Sequence, residues 1–355
     1  MNYIGSKLSL LEFLEESINK VVDKNCRVFC DLFAGTGVVG SHFKKKGYEV
    51  IANDIQYYSF VLNKQYIENH KQLTFQRLIK SLPELRNIEV NDRRDFVCDY
   101  LSKIKGIGGF IFKNYCLGGT KRQQFQRQYF SDENGKRCDA IRMQIQEWRQ
   151  KRAINNNEYY FLLTSLIETI DKRANTASVY GAFLKQLKKT AQLPFVLKPA
   201  ELIINDQEHQ VFNEDINKLV GKVRGDILYL DPPYNHRQYA TNYHLLETIA
   251  RYDNPKIYGK TGLRNYASQK SLYCSRINAK TAFKSLIMRA RTRYIFLSYN
   301  NEGLLTLGDI KEIMSKRGKY GYFTKEYNRF KADKDKNREY QTNKTLEYLH
   351  YVVCK

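Results

Sequence analysis

Asp231-Pro-Pro-Tyr234 puts a carboxylate, two rigid carbonyls and an aromatic face into four consecutive residues. Pro232 and Pro233 fix the backbone and remove two N–H donors, so no local amide competes for the carbonyls. Asp231 and the Pro232 carbonyl can each accept one hydrogen from an exocyclic amine, which turns the amine lone pair toward an electrophile. Tyr234 offers a face on which a planar base could stack. A rigid turn with a capping Asp is the plainer reading, and a second constellation counts against it. Asp31-Leu-Phe-Ala-Gly-Thr-Gly-Val-Val-Gly40 is a glycine turn in which Phe33, Ala34, Gly35 and Gly37 can approach a ligand through the backbone. Gly35, Gly37 and Gly40 have the G-x-G-x-x-G spacing, but the turn opens F-A-G, so it is no dinucleotide fingerprint. Asp54 follows at the tip of the next apolar run, where a carboxylate accepts hydrogen bonds from ribose hydroxyls.

The elements that position these residues follow from periodicity. Leu8, Leu11, Leu14, Ile18 and Val21 have helical spacing. Arg27–Phe33 reads as a buried parallel strand, 38–46 as a helix, and Glu49–Ala52 as a second strand: one βαβ unit. Tyr57 to Leu85 reads as helical. From about Asp95 to Leu193 the α/β rhythm is lost. There Phe110–Tyr115, bracketed by glycines, suggests a hairpin, and Asp139–Arg152 a helix. The rhythm returns with the strand Ile227–Leu230, which ends at Asp231. A helix over Tyr243–Tyr252, a strand at Tyr294–Ser298, a helix at Asp309–Lys316 and a closing strand at Leu346–Cys354 follow.

With 59 Lys+Arg against 37 Asp+Glu, the formal charge is +22, a field that draws polyanions. An A/T-rich genome, which makes Lys, Asn, Ile and Tyr frequent, explains part of that excess. A hydrophobic content of 42% is enough for a core and excludes a disordered tail. The seven cysteines form no C-x-x-C pair and no zinc-finger cluster, so they read as reduced thiols with no metal. No signal peptide or bilayer-length apolar run is visible, which points to a cytoplasmic protein away from the membrane.

F-A-G-T-G with D-P-P-Y resembles the S-adenosylmethionine (SAM)-dependent amino-methyltransferases. The opening Tyr3-Ile-Gly-Ser-Lys7 is similar to the Tyr-x-Gly-x-Lys start of Dam-like adenine-N6 DNA methyltransferases. The resemblance covers roughly 1–60 and 200–355. It implies a Rossmann-like α/β sheet with an inserted target-recognition subdomain. The catalytic domain is then split in two: a SAM-binding segment over 1–94 and a D-P-P-Y segment over 194–355, with the insertion over 95–193 between them. The resemblance also implies that Tyr3 and Lys7 flank the methionine part of SAM and that Phe33 and the 34–37 backbone border the cofactor. Asp54 would hold the ribose, Asp215 would read the SAM adenine, and Asp231–Tyr234 would take the target adenine. Ser298-Tyr299-Asn300 resembles a further wall of the target pocket, although Tyr299 also reads as core. A sulfonium is already activated, so alignment matters more than a metal or a strong base.

On that resemblance the substrate is double-stranded DNA whose adenine is flipped out of the stack, and the setting is a restriction–modification system, in which a cognate endonuclease would act independently, or a phage. Lys256–Arg293 contains ten Lys/Arg and no acid, so Lys256, Lys260, Arg264, Lys270 and Arg276 are expected to grip phosphates. Lys103–Arg152 carries twelve Lys/Arg against four acids. Within it Arg122, Gln123, Gln124, Arg127 and Gln128 are candidate base readers. Arg237 could reach a target phosphate or fix its loop; His236 reads better as a surface residue than as a base. Two other readings stay open: an RNA adenine-N6 methyltransferase, and a non-catalytic DNA-binding subunit. Asp231 disfavours a protein-glutamine methyltransferase, which uses Asn there. A monomer is the expected state.

Overall fold

Strands buried on both faces need near-continuous apolar residues, and the runs before Asp31, Asn53 and Asp231 provide them. The computed structural model describes residues 3–328 and 344–355. Within it the chain forms two compact units.

The first unit comprises Tyr3–Asn63, Asn205–Ala240 and Ala267–Lys355. Its strands are β1 (Val28–Asp31), β2 (Glu49–Asn53), β3 (Gln210–Phe212), β4 (Gly225–Leu230), β5 (Thr292–Asn300), β6 (Gly318–Asn328) and β7 (Lys344–Cys354). They form one seven-stranded sheet in the order β3-β2-β1-β4-β5-β7-β6. β3, β2, β1, β4 and β5 pair in parallel, and β7 runs antiparallel between β5 and β6. Alternate side chains feed two cores. Phe29, Ile227, Tyr229 and Phe296 meet Leu14 and Ile18 of α1 (Leu11–Asn19) and Val39 and Phe43 of α2 (Val38–Lys45). Cys30, Leu228, Leu230 and Leu297 meet Phe283 and Leu286 of Ala279–Arg289, and Ile310 and Ile313 of Leu307–Ser315. This is the expected Rossmann-like sheet. The chain winds outward from β1 to β3 and then returns to β4 on the other side of β1. That reversal opens a crevice at the carboxyl ends of β1 and β4, where open α/β sheets bind ligands.

The second unit comprises Lys64–Ile204 and Thr241–Tyr266. Helices Asp132–Gln150 and Asn156–Lys172 dominate it, with a two-stranded ladder of Ile257–Tyr258 and Leu263–Arg264. Its bounds differ from 95 and 193 at both ends, and it takes in 241–266 as well.

Several elements differ from expectation. Phe110–Tyr115 is a helix, not a hairpin arm, and Leu117–Thr120 follows as another short helix. Asp139 accepts the N–H groups of Ile111 and Phe112 at 2.9 and 2.8 Å, which satisfies the first turn. The flanking glycines serve packing: a Cβ on Gly119 would lie 2.0 Å from the Phe112 carbonyl oxygen. The helix expected from Tyr57 to Leu85 ends at Asn63 and passes through a π turn, Lys64–Glu68, into 3-10 turns at Gln76–Lys80 and Pro83–Asn87. Phe75, in the left-handed region at φ 48°, and Pro83 interrupt it. The helix expected at Asp139 starts at Asp132, because Ser131 Oγ accepts the Asn134 N–H at 3.2 Å.

All seven cysteines are free thiols, six of them buried. No helix among the described residues is long and apolar enough to cross a membrane.

Candidate active site

Four stretches of the sheet unit converge at the crevice: the N-terminal segment from Tyr3 to Lys7, and the carboxyl ends of β1, β2 and β4. β1 ends at Asp31 and turns through Gly35 and Gly37, at φ +52° and +79°, into α2. A side chain at Gly37 would be strained, and its Cβ would sit 2.8 Å from Asn63 Oδ1. Asn63 locks the turn by donating from Nδ2 to the Gly35 carbonyl at 3.0 Å. The Tyr3 ring covers Gly35 so closely that a Cβ there would lie 3.2 Å from Tyr3 Cε1. The Tyr3 hydroxyl is 3.2 Å from that of Tyr58.

Asp54, just past the end of β2, lines the pocket and also braces it. Its Oδ2 accepts the Gly35 N–H at 2.9 Å, and its Oδ1 accepts the Gln56 N–H at 2.8 Å. Asp215 lines the pocket too, and its Oδ1 caps a short turn by accepting the Asn217 N–H at 2.8 Å. Phe33 packs edge-on against Tyr273, centroids 5.0 Å apart, and both line the pocket with Ala34.

Asp231 and Pro233 line the same pocket. Pro232 is buried. Tyr234 is half-buried and meets Tyr299 edge-on at 6.3 Å, outside the lining residues. Tyr299 is 2% exposed, and its hydroxyl accepts the Leu305 N–H at 3.2 Å, so it props the loop from beneath.

Lys7 is a buried cation of this site. Its Nζ lies 3.1 Å from Asp231 Oδ1 and 3.0 Å from Glu347 Oε1, with only 6% of the side chain exposed. Burial works against its charge, but Asp231 and Glu347 outweigh that and hold the ammonium well above its ordinary range. Burial pushes Asp231 up to about 6; the Lys7 charge opposes this and the Glu347 charge adds to it. Asp231 Oδ2 has no partner among the described residues. Glu347 escaped the sequence reading. The signal was an acid on the inward face of a closing strand, two residues before the fully buried Leu349.

Asp31 is the other unusual acid. Burial first, then the Asp231 and Asp54 charges, push it up to about 8, against the pull of the Gly40 N–H on Oδ2 at 3.1 Å. Its buried Oδ1 has no hydrogen-bond partner. Five carboxyl groups, Asp31, Asp54, Glu214, Asp215 and Asp231, thus line one glycine-floored pocket. That set fits a ligand carrying a sulfonium and an ammonium as SAM does, because a cation is welcome there and the backbone leaves room for it.

The candidate DNA contacts separate into two kinds. Arg122, Gln124, Lys256 and Lys260 are exposed on the helical unit; Arg237, Lys270 and Arg276 are exposed on the sheet unit. Arg127 is corrected from reader to strut. It is 5% exposed and donates to the carbonyls of Gly259, Lys260 and Asn114 at 2.9, 3.1 and 3.3 Å. Arg264 is corrected likewise: it is 8% exposed and forked onto Asp253 at 3.0 and 2.7 Å. Buried, hydrogen-bonded guanidinium groups cannot reach a phosphate. Lys256–Arg293 is divided between the units: 256–266 folds with the helical unit and 267–293 with the sheet. Among the described residues no group of three or more His, Cys, Asp or Glu could hold a metal.

Sheet topology, glycine turn and carboxylate-lined crevice together define a Rossmann-like methyltransferase. The chain belongs to the D12 class of N6 adenine-specific DNA methyltransferases, whose family profile matches residues 3–313. It is 51% identical over 354 residues to the type II methyltransferase M.NlaIII of Neisseria lactamica, covering 99% of both chains. It is 35% identical over 358 residues to the type II methyltransferase M.CviAII of Paramecium bursaria Chlorella virus 1, covering 99% of this chain and 98% of that one. With M.FokI of Planomicrobium okeanokoites it shares 39% over 360 residues, and there it spans 52% of the longer protein.

Proposed function

We propose that the pocket binds SAM and that Asp231 receives the amino group of an adenine extruded from duplex DNA. The observation that carries this reading is the Asp231 carboxylate, fixed by Lys7 through Oδ1, in the same pocket as the Gly35–Gly37 turn. When bound, SAM supplies a methyl group already activated by its sulfonium. Tyr3, Phe33 and the 34–37 backbone enclose it, Asp54 and Asp215 offer carboxylate oxygens to its hydroxyl and amino groups, and Asp31 faces its cationic end. Asp231 accepts one hydrogen of the adenine amine through Oδ2, and the Pro232 carbonyl accepts the other. This fixes the amine at the right distance and favours the positive charge that develops on nitrogen. Tyr234 serves as the stacking face, at about 1–3 kcal/mol per base, against an extrusion cost of a few kcal/mol.

The helical unit is the proposed reader of target sequence, with Arg122 and Gln124 at base edges and Lys256 and Lys260 on phosphates. Lys270, Arg276 and Arg237 hold the backbone from the sheet unit. The names of M.NlaIII, M.FokI and M.CviAII support a modification enzyme of a type II restriction–modification system. Such an enzyme works in the cytoplasm beside an independently acting endonuclease.

Labelled methyl transfer from SAM to unmodified duplex DNA, followed by nucleoside analysis, tests this reading. Wild type should make N6-methyladenine; Asp231→Ala should lose about 100-fold or more of that activity while still binding SAM. Methylation of RNA alone, or full activity in Asp231→Ala, would overturn it.

A further inference from the structure

Glu347 lies on β7, beyond the residues that the family profile matches, and it is 1% exposed. Its Oε1 accepts the Ser298 hydroxyl at 2.5 Å and the Lys7 ammonium at 3.0 Å. Register places Glu347 opposite Asn300 on β5, so the sheet holds the carboxylate on the side facing Lys7. Lys7 in turn donates to Asp231 Oδ1. Ser298, Glu347, Lys7 and Asp231 therefore form one unbranched chain that ends at the pocket.

A buried carboxylate placed there for stability alone would be a poor choice, since a single Lys–Asp pair already balances its own charge. The additional acid leaves the cluster with one net negative charge. Five titratable or charged groups interact with Asp231 itself. They are Lys7 from the N-terminal segment, Glu347 from β7, Asp31 from β1, and Tyr229 and Tyr234 from β4 and the turn after it. Lys7 is the one cation among them.

We propose that Glu347 is a positioning residue for methyl transfer: it draws Lys7 between two carboxylates, so that Asp231 keeps the accepting strength the substrate amine requires. The inference rests on the reading of Asp231 as the amine acceptor. Without the Glu347 charge, Lys7 leans wholly on Asp231. The pair then neutralises itself, and the remaining Asp231 oxygen becomes a weaker acceptor. The same change removes a repulsion that favours protonation of Asp231. The two effects have opposite signs in a pH profile. Activity falls at neutral pH, while the acid limb extends to lower pH.

The experiment is kcat against pH at saturating SAM and duplex DNA, for wild type, Glu347→Asp, Glu347→Gln and Asp231→Ala of the full chain. In Glu347→Gln, kcat should fall about tenfold with both KM values little changed, and the acid limb should move down by roughly half a pH unit or more. Glu347→Asp, which keeps the charge but withdraws it, should lie between. The effect is read even if Glu347→Gln folds poorly, because the wild-type and Glu347→Asp limbs suffice. Coincident acid limbs, or a loss of kcat with no limb movement, would overturn the positioning role. An active Asp231→Ala would remove the reading beneath it; an inactive Asp231→Ala with coincident Glu347 limbs would remove this inference alone.

Discussion

Asp31 ends β1 and Asp231 directly follows its parallel neighbour β4, and the Asp231 charge helps keep Asp31 protonated. Burial is the larger cause, and together they push Asp31 up to about 8. Its folded pKa therefore exceeds the unfolded value of about 3.9, so the folded state binds the additional proton between those limits. Stability attributable to Asp31 is fully present below about pH 4 and is lost as pH rises through about 8. Asp31→Asn keeps an oxygen for the Gly40 N–H and carries no charge. Its stability relative to wild type should increase from pH 4 to pH 8, by at most about 1.4 kcal/mol per pH unit. Denaturant melts across that range would measure it; a difference flat with pH would refute the buried-proton picture.

Asp231, pushed up to about 6, gives the enzyme itself a pH signature. The ionised carboxylate is the acceptor, so activity should be full above neutrality and half lost near pH 6. Initial rates at saturating substrates, with SAM binding followed in parallel, would separate this limb from loss of cofactor. A plateau continuing down to pH 4 would mean that Asp231 ionisation is irrelevant to the step.

Arg127 and Arg122 should part company on mutation. Arg127→Ala removes a buried guanidinium and leaves the carbonyls of Gly259 and Lys260 without their donor, at a cost of about 2–4 kcal/mol in stability. Arg122→Ala should leave the melting temperature within a degree or two of wild type but weaken DNA binding and flatten its dependence on salt. Equal melting temperatures for the two variants would show that Arg127 is no strut.

Asp31, Asp54 and Asp231 were legible because each lies at or just past the carboxyl end of a buried strand, where the apolar run itself marks the edge. The helix Asn156–Lys172, opened by a capping box of Asn155 and Glu158, was missed although that box is a local signal. Arg127 and Arg264 misled because a basic residue in a basic segment looks solvated, and only tertiary contacts reveal a guanidinium turned inward. Phe110–Tyr115 misled because glycines that permit close packing resemble glycines that permit turns. β3, three residues within a polar stretch, offered no period to read. Glu347 was hidden by distance: 340 positions separate it from Lys7 in sequence, and nothing local in either residue points to the other.

The place of β7 between β5 and β6 makes the timing of synthesis matter. A ribosome that has just released residue 328 has supplied β1 through β6, while β7, which separates β5 from β6 in the sheet, is still to come. The helical unit, whose last residue is Tyr266, is by then already out of the exit tunnel and free to close. Nascent chains can thus acquire a folded helical unit before the charge cluster at the pocket exists. The cluster is completed only when β7 enters the sheet and brings Glu347 beside Lys7.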